Sequence, residues 1–313
     1  MLFCQVFAVV ISRQEETMSR LVILDAGNAD CIVIHADGET GAETVVMDGG
    51  MEKYNGRSVL YEYLMQNNIR TIDLLVLTHL HQDHFGGFGA LIDNVRVKTA
   101  ILPYGKIECT QIVNALYPHS RHYARYNRFC EYLTAQGTEI RLADQCAEMA
   151  VSFGDTELIC LFPHRGANLS LPGLIPLLSD TTLTEESVAE VCATYKAHIN
   201  PESSVWLLCH RGENIALLPG DSMADVQRSI LGRLSHPPAV LKLSHHGVRG
   251  GGKGEPVYFD KDLLAAIRPA HMVVTNFEDN DGYAEVRALC EELCHEIGVA
   301  LHFTCEGVFE FVY

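Results

Sequence analysis

The sequence is poor in basic residues. Its 313 residues contain 23 lysines and arginines against 40 aspartates and glutamates, which gives a formal net charge of -17. A surface of this sign repels polyanions, so broad binding to nucleic acids or to anionic membranes is disfavoured. A local basic pocket remains compatible with the composition. We therefore expect the partner to be a small molecule and not a long polyanion.

A disulfide framework and a membrane anchor are also missing. The eleven cysteines show no repeated CxxC spacing, and several lie in apolar runs, which favours buried free thiols in a reducing compartment. No apolar run is long enough to span a bilayer, and MLFCQVFAVVIS lacks the charged start and cleavage site of a signal peptide. We predict a cytoplasmic protein without membrane contact. Residues 1–17 are expected to be a loose arm or an upstream-start extension, and residues 18–313 a single domain.

Motifs for covalent catalysis and nucleotide binding are absent as well. The sequence contains no GxSxG nucleophile motif, no P-loop and no dinucleotide fingerprint, and no cysteine has an evident catalytic partner. Any chemistry therefore has to come from another kind of site.

The hydrophobic pattern predicts an α/β protein with two sheets. Short apolar strands separated by turn residues open the chain, and the continuous apolar run DLLVLT indicates a strand buried on both faces. Predicted strands lie at 20–25, 30–35, 43–48, 73–78, 97–103, 138–142, 157–162, 203–210, 214–221, 239–244, 271–276, 299–305 and 307–313. Predicted helices lie at 56–68, 86–94, 121–136, 181–199, 222–234, 260–268 and 283–297, and loops at 103–120 and 163–180. Strands clustered in two runs favour two sheets packed face to face with helices outside.

A cluster of metal-binding side chains follows the strand DLLVLT. His79, His81, Asp83 and His84 fall within six residues, and imidazole and carboxylate are the ligands that zinc accepts. The adjacent glycines, 86–87, allow the sharp turn into the next helix. A histidine-rich surface loop is the alternative, but the spacing His-x-His-x-Asp-His predicts a metal site.

The segment THLHQDHFGG resembles the signature of the metallo-β-lactamase superfamily. The resemblance implies a four-layer αββα sandwich and a metal-dependent hydrolase with two divalent ions, zinc in the first place and manganese as an alternative. It implies that His79 and His81 bind one metal, while Asp83 and His84 bind the other. A metal lowers the pKa of bound water to about 7 from about 16, and a hydroxide bridging two metals can attack an ester. Asp83 is accordingly expected to take part in catalysis.

The same resemblance implies further ligands downstream. Asp221, after the strand NIALLPGD, would bridge the two metals, although it could instead cap the helix that follows. His245 and His246 follow the strand AVLKLS. We assign His246 to the metal and His245 to catalytic contact with substrate or transition state, an assignment made by analogy and open to reversal.

The pattern also resembles one branch of this superfamily, the hydrolase domain of DNA-uptake competence membrane proteins. LDAGNADCIVI, MDGG, LLPGD, LKLSHHG and FTCEGVFEFV follow in the order of that branch, over residues 21–312. The phosphorylcholine-esterase branch shares the His-His-Gly element. Val248 stands where the competence branch has serine, and Ala284 and Glu285 replace its histidine region after Tyr283. The substrate side of the site is therefore expected to differ, with Tyr283 as a weak substrate candidate.

Many superfamily members have a third histidine on the first metal. The candidates here are His119, His122, His164, His198 and His210, and His164 in LICLFPHRG is best placed because it follows a strand. A plain surface histidine is the equally weighted alternative.

Other charged residues have expected supporting roles. Arg249 and Lys253, in the loop VRGGGKGEP, could hold a phosphate or carboxylate of the substrate, or belong to a solvated mobile loop. Asp25, Asp30 and Asp48 could orient metal-bound histidines, or serve as turn carboxylates.

The sequence thus predicts a dinuclear hydrolase of a phosphoester, phosphodiesterase-like or nuclease-like. Hydrolysis of a lactone, thioester or amide by the same metals is the first alternative. A non-catalytic, metal-stabilised module is the second. The expected partner is accordingly a small-molecule or phosphoester substrate.

Overall fold

The computed structural model describes residues 19–38, 41–250, 257–276 and 283–313. These residues form two seven-stranded sheets. The first sheet contains β1 (Arg20–Ile23), β2 (Cys31–Gly38), β3 (Gly41–Gly49), β4 (Thr71–Val76), β5 (Arg96–Leu102), β6 (Glu139–Leu142) and β14 (Phe309–Val312). The second contains β7 (Ala150–Phe153), β8 (Thr156–Phe162), β9 (Val205–His210), β10 (Glu213–Leu218), β11 (Val240–Lys242), β12 (His271–Val274) and β13 (Ala300–Phe303).

The two sheets have the same plan. The first has the order β14-β1-β2-β3-β4-β5-β6, and the second has the order β13-β12-β11-β10-β9-β8-β7. In the first sheet β3 to β6 run parallel, and in the second β10 to β13 run parallel. The other pairs are antiparallel. The two sheets therefore repeat one plan, except that β14 lies beside β1 in the first sheet although it follows β13 in sequence.

Helices cover the outer face of each sheet. They are α1 (Val59–Gln66), α2 (Gln82–Phe85), α3 (Gln111–Leu116), α4 (Tyr123–Ala135), α5 (Leu171–Leu174), α6 (Glu185–His198), α7 (Ala224–Ile230), α8 (Lys261–Ile267) and α9 (Tyr283–Ile297). The side chains of α1, α4 and α6 share a core with the first sheet, and those of α7, α8 and α9 share one with the second. The predicted four-layer αββα sandwich is confirmed.

Strand β1 shows why the layers form. Leu21 and Ile23 belong to the core between the two sheets, whereas Val22 and Leu24 belong to the core beneath the helices. Successive side chains of a strand point to opposite faces, so a continuous apolar strand has to be covered on both sides. The sequence therefore requires a sheet in the middle of the molecule.

The connections contain more structure than the sequence predicted. The predicted loop 103–120 contains α3, whose first turn is capped by Thr110 through a hydrogen bond from the Val113 amide (3.2 Å). The predicted loop 163–180 contains α5, and β7 was not predicted at all. These elements have four to six residues, too few for a periodic hydrophobic pattern to be recognised.

Two predictions from composition can be compared with the described residues. All ten cysteines in these ranges are free thiols, and eight of them are buried. No helix in the same ranges has the length and apolar character needed to cross a bilayer. The predicted N-terminal arm, residues 1–17, lies outside them.

Candidate metal centre

The predicted metal ligands lie at the carboxyl ends of strands. His79 and His81 follow β4, Asp221 follows β10, and His246 follows β11. Each of these strands lies in, or borders, the parallel part of its sheet, where strand ends meet along one edge. Ligand sites of α/β sheets form at this edge. The sandwich thus brings together residues up to 167 positions apart in the sequence.

The first group of ligands contains His79, His81 and Asp221. The Nε2 atom of His79 lies 3.1 Å from Nδ1 of His81 and 3.6 Å from Oδ2 of Asp221. Two ligands bound tetrahedrally to zinc at about 2.0–2.1 Å lie roughly 3.3 Å apart. Both separations from Nε2 of His79 are close to that value. The ligand atoms that lie within 4.8 Å of one another on this side are those of His79, His84 and Asp221, with His81 next to His79.

The second group contains Asp83, His84 and His246, whose ligand atoms lie within 4.8 Å of one another. Nε2 of His246 is 3.2 Å from Oδ2 of Asp83, and Nε2 of His84 is 3.4 Å from Oδ2 of Asp221. The turn of α2 brings Asp83 and His84 to this side of the cluster. These separations also fit the ligands of a single divalent ion.

Asp221 lies between the two groups. Its Oδ2 atom is 3.4 to 4.0 Å from ring nitrogens of His79, His84, His245 and His246. Both carboxylate oxygens of Asp221 are buried and make no hydrogen bond among the described residues, and the same is true of Nε2 of His84 and His246. Buried polar atoms without partners are rare because they are costly. Divalent cations held by these residues would satisfy such atoms, so the residues fit the expected pair of ions.

The charges of the cluster also favour cations. Burial lowers the pKa of His79 and His81, so both rings are neutral and can offer a lone pair. Burial opposes protonation of His84 and His246 too, but nearby carboxylates outweigh it. Asp221 and Asp48 raise the pKa of His84, and Asp221 and Asp30 raise the pKa of His246 to about 9. The cluster therefore attracts positive charge, which protons or metal ions can supply.

Asp48 holds His84 from behind. The carboxylate accepts hydrogen bonds from the Thr78 amide (2.8 Å), the Thr78 hydroxyl (2.8 Å) and Nδ1 of His84 (2.8 Å). With Nδ1–H engaged in this way, Nε2 of His84 is the atom left to face a metal. This contact supports the predicted orienting role of Asp48.

Asp30 holds His246 in the same manner. Its Oδ1 atom accepts from the Thr275 hydroxyl (2.6 Å) and lies 3.2 Å from Nδ1 of His246. Nε2 of His246 is then directed toward Asp83. Asp25 differs, because its described hydrogen bond is from the Gly27 amide (3.3 Å), which is the turn alternative.

Lys242 is a member of the cluster that sequence reasoning missed. The side chain is fully buried, forms an ion pair with Asp30, lies 3.8 Å from Oδ1 of Asp221 and donates to the Gly220 carbonyl (3.3 Å). A lysine is almost never fully buried without an anionic partner. The available signal was its position as the one charged residue in the apolar strand AVLKLS.

The backbone is strained where three of these side chains emerge. Asp48 (φ 55°), His245 (φ 52°) and His246 (φ 54°) adopt the left-handed conformation. This conformation costs a non-glycine residue about 1 kcal/mol or more and persists only where the surroundings enforce it. Because of this backbone conformation, the side chains of the adjacent His245 and His246 lie in different surroundings.

His245 and His246 consequently have different environments. The side chain of His246 is 2% exposed and lies among carboxylates, whereas that of His245 is 25% exposed. The His245 ring packs against Tyr258 with centroids 3.9 Å apart, and burial lowers its pKa to about 4. The geometry supports His246 as the ligand and leaves His245 as a neutral group at the margin of the site.

A cavity of about 1040 Å³ opens beside the cluster, and we call it the metal-site cavity. His81 and Asp83 line its metal end. The remaining wall includes Tyr258, Lys196 in α6, Asn200 just after α6, and Tyr117 and His119 in the segment after α3. The site therefore has room for a substrate larger than a single ester group.

Several predicted residues are not brought to the cluster. The described contacts of the His164 side chain are with the Phe162 ring (centroids 6.1 Å apart) and the Arg165 carbonyl (3.2 Å). Tyr283 is buried against Cys305 and Arg287, and Arg249 is exposed and outside the cavity lining. Lys253 lies outside the described residues.

The other candidate histidines differ in their distance from the site. The His119 ring centroid lies 6.5 Å from that of His81, so this histidine borders the metal site. His122 neighbours His119, His198 pairs with Glu202, and His210 contacts Thr156. Two imidazoles on one zinc would have centroids roughly 5 Å apart, so the 6.5 Å between His81 and His119 places His119 beside the first group of ligands and outside it.

Comparisons with known proteins agree with this geometry. Residues 24–110 match the family described as the Metallo-beta-lactamase superfamily. ComE operon protein 3 of Bacillus subtilis (strain 168) is 28% identical over 96 residues, which cover 26% of this chain and 12% of that protein. The chain thus spans only a small part of the length of this relative.

Two solved structures have the same architecture. Igni18, a metallo hydrolase from the archaeon Ignicoccus hospitalis, has 14% sequence identity and a TM-score of 0.51, with 94% of this chain and 99% of that one covered. The metallo-beta-lactamase fold protein YhfI from Bacillus subtilis has 11% identity and a TM-score of 0.50, with 94% and 100% covered. Residues 24–110 thus match the Metallo-beta-lactamase superfamily, and the described residues share the fold of these two structures.

Proposed function

We propose that the protein is a dinuclear metal-dependent hydrolase that cleaves a phosphoester, with phosphodiesters preferred. One observation carries the proposal: the Oδ2 atom of Asp221 lies 3.4 to 4.0 Å from four imidazole nitrogens, beside a cavity of about 1040 Å³. A carboxylate placed in this way can hold two ions a few ångströms apart, which is the arrangement of two-metal hydrolytic sites.

The side chains divide between the two ions. His79 and His81 would hold the first, and Asp83, His84 and His246 the second, with Asp221 between them. Nitrogen and oxygen ligands at these spacings suit zinc, and manganese accepts the same set with a larger share of carboxylate and water. We therefore propose zinc as the metal.

Two bound divalent ions supply a water of lowered pKa and stabilise the negative charge that develops on an attacked phosphoryl group. The residues of the chain supply position. Asp48 and Asp30 fix the rings of His84 and His246, so that the metal-facing nitrogens cannot rotate away. His245, neutral and partly exposed, is placed to contact substrate oxygens.

A phosphodiester is favoured over an ester or lactone by charge. Two dications compensate the anionic oxygens of a phosphoryl group, and the metal-site cavity has one lysine, Lys196, and no arginine among its described lining residues. The apolar members of the wall, such as Met51 and Met223, leave room for the organic parts of a diester. The acidic surface argues for a small phosphodiester and against a long polyanion.

The test is metal-dependent turnover of bis(p-nitrophenyl) phosphate. The purified protein is stripped with a chelator and reloaded with zinc or manganese. We expect about two zinc ions per chain and hydrolysis that falls by more than about 100-fold in the variants Asp83→Asn and His84→Gln. The matched control is His164→Gln, which changes a histidine outside the cluster and should retain both metals and full activity.

Other outcomes would contradict the proposal. A protein that holds two metals and hydrolyses lactones or thioesters, but no phosphodiester, would favour the alternative substrate class. Less than one metal equivalent after gentle purification, together with no hydrolysis on reloading, would favour a non-catalytic module.

A further inference from the structure

We propose that Tyr258 is a positioning residue of the metal centre, which holds the His245 ring in place for its contact with the substrate. The inference rests on the proposed function, because the contact that it serves is the one between His245 and the phosphoryl group. Tyr258 lines the metal-site cavity. Its role differs from that of a metal ligand, since it acts through His245.

The ring of His245 is held differently from the rings of its neighbours. Asp48 lies behind the ring of His84, 2.8 Å from its Nδ1 atom. Asp30 lies behind the ring of His246 in the same way, at 3.2 Å. The Nδ1 atom of His245, by contrast, is buried and makes no hydrogen bond among the described residues. A contact of another kind therefore has to fix this ring.

The phenol ring of Tyr258 supplies that contact. Its centroid lies 3.9 Å from the centroid of the His245 ring, and the two ring planes are 36° apart. At so short a distance the rings lie largely face to face, and each limits the rotation of the other. The Nε2 atom of His245 is 4.0 Å from Oδ2 of Asp221. The stacked ring thus stays beside the metal ligands.

Tyr258 is itself fixed at three points. Its amide donates to the Arg249 carbonyl (2.9 Å), and its hydroxyl accepts a hydrogen bond from Nδ2 of Asn200 (3.2 Å). Its carbonyl accepts a hydrogen bond from Nε2 of Gln227 (2.9 Å). A residue held at its amide, its carbonyl and its hydroxyl cannot turn without breaking several hydrogen bonds. The phenol ring is therefore a rigid surface for His245.

Gln227 also connects Tyr258 to the centre of the metal site. Its Nε2 atom donates to the carbonyl of Ser222 (3.0 Å), the residue that follows Asp221. An amide group has two N–H donors, so one side chain can bind both carbonyls. Because this side chain is 2% exposed, water does not compete for these hydrogen bonds. One buried glutamine thus sets the spacing between the two residues that border the His245 ring.

The backbone of His245 makes such support necessary. Its φ of 52° lies in the left-handed region, which a non-glycine residue keeps only where its surroundings enforce it. A ring on such a backbone, with no hydrogen bond at Nδ1, can relax when a neighbour is removed. Loss of the Tyr258 ring should therefore displace His245. A displacement of about 1 Å can slow a catalysed reaction about 100-fold.

A purely structural role for Tyr258 predicts a different result. The residue belongs to the core that the second sheet shares with α7, α8 and α9, so its replacement also lowers the free energy of unfolding. An effect on activity that came from this loss alone would be the same whether or not His245 is present.

The experiment is a double-mutant cycle on the zinc-loaded protein with bis(p-nitrophenyl) phosphate. Tyr258→Leu should lose about 10- to 100-fold in kcat, with KM changed less than about threefold, because the ring affects orientation in the transition state. In the His245→Ala background the same replacement should cost less than about threefold. Tyr258→Phe keeps the stacked ring and should stay within about fivefold of wild type.

Tyr132→Leu is the matched control. Tyr132 is a partly buried tyrosine outside the cavity lining, and its hydroxyl donates to the Val95 carbonyl (2.9 Å). Its replacement should leave kcat unchanged in both backgrounds. If Tyr258→Leu does not fold, Asn200→Ala takes its place in the cycle. This variant removes the donor to the Tyr258 hydroxyl and should lose about two- to fivefold in kcat, with no further loss in the His245→Ala background.

The visible spectrum of the cobalt-loaded protein tests whether the metal ligands are intact. The spectrum of Tyr258→Leu should match that of wild type, and a changed spectrum would assign the loss to the ligands and overturn the proposal. Equal losses in kcat with and without His245, or no loss in either background, would overturn it as well.

Orthovanadate gives a readout that needs no turnover, because it mimics a phosphoryl group under attack. If no phosphodiester is hydrolysed, the proposed function fails, and calorimetric titration of the zinc-loaded protein with orthovanadate decides the role of Tyr258. Weaker binding by Tyr258→Leu that disappears in the His245→Ala background would support this role. Equal affinity of wild type and Tyr258→Leu, or no binding by wild type, would refute it.

Discussion

The contact between Gly87 and the end of β3 allows a sharp test of how the fold builds the metal centre. Gly87 lies in the 3₁₀ segment Gly86–Leu91 that follows α2, and its amide donates to the Gly50 carbonyl (3.0 Å). A Cβ atom added at Gly87 would lie 2.0 Å from the Gly49 carbonyl oxygen and 3.0 Å from its carbon. Both are backbone atoms, so no side chain can move aside.

The magnitude for Gly87→Ala follows from this geometry. A carbon and an oxygen in ordinary contact lie about 3.3 Å apart, so the two segments have to separate by more than about 1 Å. Overpacking of this kind costs typically 1–3 kcal/mol, and loss of the amide hydrogen bond to Gly50 adds about 1 kcal/mol. We expect a destabilisation of about 2–4 kcal/mol. Because Asp48 immediately precedes Gly49, the same shift should draw it away from His84 and weaken zinc binding at the second group of ligands.

The assay is urea unfolding with and without chelator, combined with zinc competition against a chromophoric chelator. Gly89→Ala is the matched control, since Gly89 belongs to the same 3₁₀ segment and an added Cβ would meet nothing within 4 Å. This control should be neutral or slightly stabilising. The reasoning is refuted if Gly87→Ala unfolds within 1 kcal/mol of wild type with unchanged zinc affinity, or if both alanine variants are equally damaged.

Further predictions concern charge, metal and pH. Lys242→Met should destabilise the metal-free protein by about 3–5 kcal/mol, because it leaves Asp30 buried without its cation. Urea unfolding in the presence of chelator would measure this loss. An equal effect in the zinc-loaded and the metal-free protein would contradict this account. Zinc affinity should rise with pH up to about 9, the raised pKa of His246, because the proton on His246 has to leave before metal binds. Calorimetric titrations in buffers of different ionisation enthalpy would count the released protons. An affinity that does not change with pH would contradict this prediction. Burial lowers the pKa of His35 to about 4, so the unfolded chain, in which this pKa is higher, binds more protons between about pH 6.5 and 4. The free energy of unfolding should therefore fall as pH falls through this window, by about 1–2 kcal/mol after allowance for partial exposure. The difference in this pH dependence between wild type and His35→Gln measures the effect.

Much of the fold could be predicted because its signals are periodic and long. The strands around the histidine cluster are continuous apolar runs, and both faces of β1 are apolar for the reason that the structure shows, namely burial between a second sheet and the helices. Short elements such as α5 gave no such signal. Its four residues depend on a tertiary contact, in which Glu202 accepts hydrogen bonds from the Ser170 and Leu171 amides. Local sequence does not contain this information.

The candidate site divides in the same way. His79, His81, Asp83 and His84 are adjacent in sequence, so their spacing alone indicated a shared metal. His164 had only a suggestive position after a strand, and strand-end position does not determine the direction of a side chain.

Other members of the site come together only in three dimensions. Tyr258 and Asn200 show no sequence pattern that points to the site, and Lys242 shows only its charge within an apolar strand; the fold alone brings all three to the site. Sequence reasoning from a single chain could have suspected only Lys242, as a charge inside an apolar strand.

The placement of β14 beside β1 has a consequence for folding during synthesis on the ribosome. The edge of the first sheet at β1 is paired with residues 309–312, which the ribosome adds some 290 positions after β1 itself. During synthesis one edge of β1 therefore stays unpaired until β14 is made. The amide and carbonyl groups along this edge can then pair with other chains. Synthesis of residues 309–312 completes this edge, so a chain stalled or cleaved shortly before residue 309 should retain every candidate metal ligand and still be prone to aggregate.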